Sequence, residues 1–437
     1  MSRELDVWHL THLSRSLAYA GTESAWYARR WAAERIAPRD LRTAPDLEGF
    51  PLTYKRELQD SGEDFRVRSV PATSFRSTSG TTARRLMLYG RREEGVAATR
   101  LHEQLRGRSK QPFLHMRLIP AMRRTLESDG GGSNSTLLFT YAAHDNPGKW
   151  FDGAEHFVET LWQEYALWGR SVRISAIHVT PPPLLAYVTE RMLERGIDPA
   201  GSGVQVIAHS GGPVFERHRR IVTEHWRARS TSSYSCTEIN GWCEECPTQA
   251  GVYHDALTSW LEIVGDDQRA VGHGECGSVL LTSYTPFQEV TPLVRYWTGD
   301  VAERLDKSCS CRSARLSFRI VGRTQHCVDL TPLVGTRTFL GPLHVGDAVS
   351  GLAAIPQHLY PHFRLERSEG PRGAVIRLLL ESSLPESIPA RELGTAIRKR
   401  LLSARESFAP LKRPGALEVV LHQRGGVEGA YSLYPDR

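Results

Sequence analysis

No run of about 18 apolar residues occurs in this 437-residue chain, so a membrane-spanning helix is not expected. The opening MSRELDVWHL lacks the basic-then-apolar layout of a secretory leader, which makes the cytoplasm the expected compartment. No internal repeat or low-complexity tract is visible. The positive charge, a formal +6, is carried mostly by Arg in scattered pairs such as Arg84-Arg85, Arg91-Arg92 and Arg123-Arg124. There is no clustered basic helix, so neither nucleic acid nor a membrane is an expected partner; a phosphorylated small molecule suits the surface better. The seven cysteines are odd in number and crowd between Cys236 and Cys327, which argues against a disulfide framework and for metal or local chemistry.

What remains is enough to fold. Apolar residues make up 40% of the chain and charged residues 24%, and the length favours two or more domains. The first 70 residues read as helical, with Trp26, Trp31 and Ile36 among charged positions. Beyond them short apolar runs alternate with amphipathic stretches, the pattern of an α/β fold. Residues 204–208 read as a buried strand, broken by Ser210-Gly211-Gly212-Pro213 before a helix carrying Ile221, Val222 and Trp226. Such a glycine turn after a strand is a common ligand position. Thr180-Pro181 begins another helix, closed by Gly196. After the strand of Leu316, Phe318 and Ile320 the texture changes at Gly322-Arg323. Strands at 374–380 and 417–421 around a helix near 390–403 suggest a small α+β domain. The expected division is 1–322 and 323–437.

The densest chemical signal is Ser77-Thr78-Ser79-Gly80-Thr81-Thr82. Hydroxyls and a glycine in one short loop offer donors and close backbone approach to a polyphosphate. Ala83 and Arg84 follow, so it is not the nucleotide loop that ends in Gly-Lys-Ser. Downstream stand Tyr234-Ser235-Cys236-Thr237-Glu238, then Arg295-Tyr296-Trp297-Thr298-Gly299-Asp300, then Ile320-Val321-Gly322-Arg323.

In this order the four elements resemble those of the adenylate-forming superfamily. Pro51-Leu52-Thr53-Tyr54-Lys55, Thr180-Pro181, Ser210-Gly211-Gly212-Pro213 and Pro292-Leu293-Val294-Arg295-Tyr296 are similar to the phenylacetate-CoA ligase branch in particular. The resemblance implies a large N-terminal adenylate-forming domain with a small mobile α+β C-terminal domain. It also implies ATP-dependent activation of an aryl or small acyl acid as acyl-adenylate, then transfer to coenzyme A, and it allows a homodimer. By the same resemblance Ser79, Gly80, Thr81 and Thr82 hold the ATP phosphates, Thr237 and Glu238 a phosphate and its Mg²⁺, and Asp300 the ribose. Arg323, with Thr237 and Glu238 among the implied catalytic residues, sits near the ribose or phosphate at the domain hinge; Gly211, Gly212 and Tyr234 form the adenine slot. Tyr141, Ala142, Ala143 and Ile239 are expected walls of the acid pocket, with Phe139 and His144 beside them, Phe139 reading rather as core.

Cys243, Cys246, His254, Cys309 and Cys311 offer soft sulfur and nitrogen ligands suited to tetrahedral Zn²⁺. The resemblance selects Cys246, His254, Cys309 and Cys311, a closed structural set; Cys243, or His273 with Cys276, are alternatives for one member.

Two departures stand against the family pattern. Its C-terminal lysine is missing: Gly425 to Tyr431 contains none, Ala430 stands at or near its place, and the last lysine is Lys412. Losing a charge aimed at the reacting oxygens should slow adenylation unless another cation substitutes, with Lys412, Arg413 and Arg424 as candidates. The altered tail also leaves open a ligase that passes the acyl group to an amine or other small nucleophile, or a nucleotide-binding relative without catalysis. The second departure, Arg84 where the family has lysine after the loop, keeps the charge.

Overall fold

The computed structural model describes residues 2–77, 86–105, 113–120, 135–143, 154–167, 169–305, 309–311, 313–352, 362–370, 373–382 and 389–423. In chain order its strands begin with β1 (Ser74–Ser77), β2 (Met87–Gly90), β3 (Phe113–Pro120), β4 (Ser135–Ala143), β5 (Tyr165–Leu167), β6 (Arg170–Val172) and β7 (Ile174–Val179). Next come β8 (Val206–His209), β9 (Arg229–Tyr234), β10 (Cys243–Glu245), β11 (Tyr253–His254), β12 (Ser259–Val264), β13 (Cys276–Ser283) and β14 (Tyr296–Arg304). The last are β15 (Ser317–Arg323), β16 (Val328–Asp329), β17 (Phe339–Leu340), β18 (His362–Gly370), β19 (Gly373–Ser382) and β20 (Leu417–Gln423). The class is α/β, as the alternation of patterns predicts. By contacts, the described residues of 1–110 and 233–319 form one compact unit; those of 111–130, 134–232 and 320–437 form another.

The first unit is helical at its start and antiparallel thereafter. Helices Ser2–Glu23, Ala25–Glu34 and Lys55–Phe65 bury an aromatic group of Tyr27, Trp31, Phe50 and Phe65. Glu57 starts the third helix by accepting the backbone N–H of Tyr54 at 2.7 Å, which satisfies a donor that the helix cannot. Strands β12, β13 and β14 pair antiparallel, and β10 joins β11 on one side and the end of β9 on the other. β1 pairs with β2, so the chain leaves β1 at Ser77 and returns at Met87.

The second unit holds the parallel pairs β4-β3, β3-β7 and β7-β8, with residues 229–232 of β9 beside β8. One sheet face carries Leu114, Met116, Leu118, Ile177, Val179 and Ile207, all buried under helices Ala154–Trp162, Pro183–Glu194 and Glu216–His225. Each such side chain contributes roughly 1.5–3 kcal/mol of burial. A separate core lies among residues 328–417, where Phe363, Ile376, Leu378, Ile397 and Phe408 pack between β18, β19 and helix Ala390–Ser403. The strand β18 has no apolar alternation in HFRLERSEG and is not anticipated from sequence. It is held by its antiparallel ladder to β19, and among its residues only Phe363 is buried.

Candidate active site

Residues 295–300 show what each position of the Arg-Tyr-x-Thr-Gly-Asp run does. Arg295 adopts a left-handed φ of 46° and is fully buried. Its guanidinium donates to the carbonyls of Glu48, Phe50 and Gln268 at 3.0, 2.8 and 2.9 Å and pairs with Glu262 at 3.1 Å. A buried cation so fully bonded anchors the strand and is not available to a ligand. The Tyr296 phenol donates to Glu238 Oε1 at 2.8 Å. β14 then bulges: Trp297 faces Leu280 and Val301 faces Ser278, leaving three residues opposite Val279. Gly299 supplies a φ of 78°, and Thr298 Oγ1 bridges the bulge, donating to the Val279 carbonyl at 2.9 Å and accepting from Asp300 N at 3.1 Å. The bulge aims Asp300 at Tyr234, whose hydroxyl donates to Oδ2 at 2.8 Å. Burial and the Asp300 charge push the Tyr234 phenol well above its usual range.

Glu238, Ile239 and Asn240 lie in the loop between β9 and β10. Glu238 and Ile239 are buried and Thr237 is exposed. Gln288 fixes the loop, donating to the Glu238 carbonyl at 3.0 Å and accepting from Asn240 N at 3.0 Å. Asn240 in turn donates to the Phe287 carbonyl at 2.8 Å, and its Oδ1 accepts from Arg76 Nη1 at 3.0 Å.

Arg76 is a residue that sequence reasoning missed. It lies in β1, immediately before Ser77, the first residue of the hydroxyl run: Ser79, Gly80, Thr81 and Thr82 lie outside the described residues, but β1 brings the chain to Asn240 one position before that run begins. Burial disfavours its charge, which Glu94, Cys236 and Glu238 support in return, and its Nη2 is buried with no hydrogen-bond partner among the described residues. Glu94 was missed as well. It follows the Arg91-Arg92 pair in sequence, yet it is buried, accepting the backbone N–H groups of Glu289 and Val290 at 2.7 and 2.8 Å.

In the second unit, Gly211 follows β8 with a φ of 75°, and a Cβ there would stand 2.6 Å from Thr180 Cγ2. Ser210 accepts or donates on both sides, at 2.7 Å to Thr180 Oγ1 and 2.8 Å to His178 Nε2. Gly212 continues the same turn. Tyr141, Ala142 and Ala143 end β4, in register with Leu118, Ile119 and Pro120 of β3; Phe139 lies two pairs before Tyr141, beside Met116. His144 lies outside the described residues. Gly322 has a φ of 152° and packs so near Pro342 that a Cβ would meet Cδ at 2.3 Å, and the exposed Arg323 follows it. Lys412 and Arg413 are exposed, Arg413 donating to the Ala374 carbonyl at 3.2 Å. Arg424 and the tail through Ala430 lie outside the described residues.

Back in the first unit, Cys246, His254, Cys309 and Cys311 place one donor atom each within 4.8 Å of all the others. Cys309 Sγ lies 3.1 Å from both Cys246 and Cys311, and His254 Nε2 lies 3.1 Å from Cys311. These spacings are tighter than the ~3.8 Å edge of a tetrahedral thiolate site with bonds of about 2.3 Å, so a cation would spread donors already gathered around one point. Ser317 Oγ, 3.2 Å from Nδ1, orients the other side of the His254 ring. Burial pushes the Cys246 thiol up, but hydrogen bonds with Thr248, Cys309 and His254 outweigh it and bring the thiol to about 6. The alternatives do not join this group. Cys243 is buried in β10 with its thiol pushed up to about 12, chiefly by burial, and His273 Nδ1 instead meets the Leu305 carbonyl at 3.0 Å.

No protein-family model matches the chain. Among characterised proteins it is similar to the phenylacetate-coenzyme A ligase of Escherichia coli strain K12, 25% identical over 403 residues that cover 88% of this chain and 83% of that one. The phenylacetate-coenzyme A ligase of Thermus thermophilus is 26% identical over 375 residues, covering 82% and 77%. Among solved structures, a 2-hydroxyisobutyryl-CoA ligase in the postadenylation state, in complex with R3-HIB-AMP, aligns over 100% of this chain and 89% of its own with a TM-score of 0.71 at 16% identity. The chain is thus similar to phenylacetate-coenzyme A ligases and shares the fold of this CoA ligase. In that fold a large N-terminal adenylate-forming domain precedes a smaller C-terminal one.

Proposed function

We propose that this phenylacetate-CoA ligase-like chain activates a carboxylic acid with ATP, releasing pyrophosphate, and passes the acyl group of the resulting acyl-adenylate to coenzyme A. The observation that carries the reading is the pairing of Tyr296 with Glu238 and of Tyr234 with Asp300, which ties two separated motifs into one rigid constellation. Similarity to the two phenylacetate-coenzyme A ligases over more than four-fifths of the chain supports the same acceptor. The acid, aryl or small acyl, would lie along the end of β4 at Tyr141, Ala142 and Ala143, with Ile239 as a further wall.

In the reaction a carboxylate oxygen attacks the α-phosphorus of ATP, and the bond to pyrophosphate breaks. No side-chain nucleophile is needed; alignment of two anions and neutralisation of their charge do most of the work. Glu238 and Thr237 would hold Mg²⁺, which when bound neutralises phosphate oxygens. Tyr296 fixes the Glu238 carboxylate in one orientation. Ser79, Gly80, Thr81 and Thr82 would cradle phosphates, Asp300 would take the ribose hydroxyls, and Gly211, Gly212 and Tyr234 would flank adenine. Arg323 would mark the hinge of a C-terminal lid, residues 323–437. Cys246, His254, Cys309 and Cys311 would hold a structural Zn²⁺ without an open position. We place the protein in the cytoplasm; no helix among the described residues is long and apolar enough to cross a membrane.

The test is pyrophosphate release from ATP and Mg²⁺ with a panel of aryl and aliphatic acids, followed by mass spectrometry of the product. Acyl-CoA is expected. Acyl-AMP that yields only an amide when amines are supplied would move the acceptor to an amine, and nucleotide binding with no acid turned over would remove the enzyme.

A further inference from the structure

The parallel strands of the second unit have two unlike faces. Leu118, Val179 and Ile207 face the buried helical side, and the alternate residues His115 and Arg117 of β3, Ala176 and His178 of β7, and Val206 and Ala208 of β8 face the other, all of them half-buried. Parallel strands are ordinarily apolar on both faces, because both are covered. Here one face carries a guanidinium and two imidazoles.

Arg117 pairs in register with His178 on one side and with Thr140 on the other, one step before the Leu118–Tyr141 pair at which the expected acid pocket starts. It makes no hydrogen bond or ion pair with any described residue, and its Nε is buried without a partner. Burial alone disfavours its charge; no carboxylate among the described residues offsets it. The neighbouring imidazoles do not share that charge. Burial, then the Arg117 charge, holds His178 down to about 4, and the same two causes lower His115. His178 instead continues a hydrogen-bonded line through Ser210 to Thr180, at the turn that holds Gly211. The arrangement is one fixed cation with neutral polar neighbours at the carboxyl ends of parallel strands, where ligands of such sheets bind.

A guanidinium without a counter-charge among the described residues is costly to bury and is a poor element of a purely apolar acid pocket. We infer that Arg117, flanked by His178, recognises a second anionic group on the acid, so that the substrate class is a carboxylic acid bearing a further carboxylate away from the one activated. A planar guanidinium suits a carboxylate through paired hydrogen bonds, and a site built for such a group rejects the analogue that lacks it. The inference rests on the adenylation reading above and narrows its aryl-or-acyl substrate.

The experiment measures pyrophosphate release with matched pairs of acids, each a monocarboxylate and the same skeleton with a second carboxylate: benzoate with benzene-1,4-dicarboxylate, phenylacetate with its 4-carboxymethyl derivative, butyrate and hexanoate with the diacids of equal length. The parent protein should favour at least one diacid over its partner by about tenfold or more in kcat/KM. In Arg117→Gln that ratio should fall to about one with KM for ATP unchanged, and Arg117→Lys should retain part of it. Three results would overturn the inference: monocarboxylates preferred throughout by the parent, diacid and monoacid impaired alike in Arg117→Gln, or a rise in KM for ATP alone, which would assign Arg117 to the nucleotide. The parent's own preference needs no variant to fold. If the parent releases pyrophosphate with no acid in the panel, the adenylation reading falls first and separately.

Discussion

Arg76 donates to Asn240 at 3.0 Å, joining the last strand before the hydroxyl loop to the segment that carries Glu238. One terminal nitrogen makes this contact, and the other is buried with no hydrogen-bond partner among the described residues. A cation whose charge Glu238 supports, one residue before the hydroxyl run, is a candidate for a positive charge serving the proposed adenylation. Arg76→Ala is expected to lower kcat for pyrophosphate release by about 10²-fold, the usual scale for a preorganised charge at a reacting centre, and Arg76→Lys by clearly less. Asn240→Ala, which loosens only the positioning contact, should cost far less than Arg76→Ala. Equal losses in the two variants would make Arg76 a positioning residue only.

The Tyr296 phenol and Glu238 offer a sharper comparison. Tyr296→Phe leaves the volume of the strand intact and removes one donor from a buried carboxylate, which costs about 1–3 kcal/mol when the acceptor is left without another partner. A fall in the unfolding midpoint of this order is expected together with a loss of kcat, and raising Mg²⁺ should recover part of the activity because the carboxylate remains. Glu238→Gln should not be recovered by Mg²⁺. Identical Mg²⁺ dependence in both variants would count against Glu238 as the metal's ligand.

How far the sequence foretold this site depends on what each residue contacts. Asp300 and Glu238 stand out in the sequence through the resemblance of their motifs, and the structure adds a local reason for the run before Asp300: its bulge uses Gly299, and its hydroxyl bridge uses Thr298. The Cys-x-Cys at 309–311 and Cys246 with His254 were legible as soft donors, and the structure gathers those four and leaves out Cys243. The strands at 204–208, 374–380 and 417–421 and the helix near 390–403 follow from their periodicity, and the structure agrees to within a few residues. Arg76, Glu94 and Arg117 were not legible. Each is a charged residue in an Arg- and Glu-rich chain, and only tertiary packing takes it out of water. The role of Tyr296 was hidden for a related reason: its partner lies 58 positions away.

Histidines in the second unit set an acid limit to stability. His209 is fully buried with neither ring nitrogen hydrogen-bonded among the described residues, and burial, then Arg219 and His178, bring it down to about 3. His178 is held to about 4, and His218 lies well below the usual range, both chiefly by burial. In the unfolded chain each returns to about 6.5. Above that pH both states are neutral and the stability is fully present; below it the unfolded state takes up protons that the folded state refuses, so stability falls as pH drops from about 6.5 toward 4, by about 1.4 kcal/mol per pH unit for each group. Urea unfolding at pH 7, 6 and 5 is therefore expected to show a midpoint that declines with pH. His209→Gln should reduce the slope by about one proton, and an unchanged slope in that variant would contradict the burial argument.

The thiol cluster yields a test with an internal control. Cys309 stands 3.1 Å from both Cys246 and Cys311, so removing it takes the central ligand from the set, whereas Cys243 lies in β10 outside the set. Protein purified without chelator should carry about one equivalent of zinc, since four ligands close the site. Cys309→Ser should reduce this below about half and lower the thermal midpoint by several degrees, because binding energy to a structural ion is also folding energy. Cys243→Ser should keep its metal, and chelator should destabilise the parent but not Cys309→Ser. Zinc that persists in Cys309→Ser, or vanishes in Cys243→Ser, would show that the four residues are not the ligands.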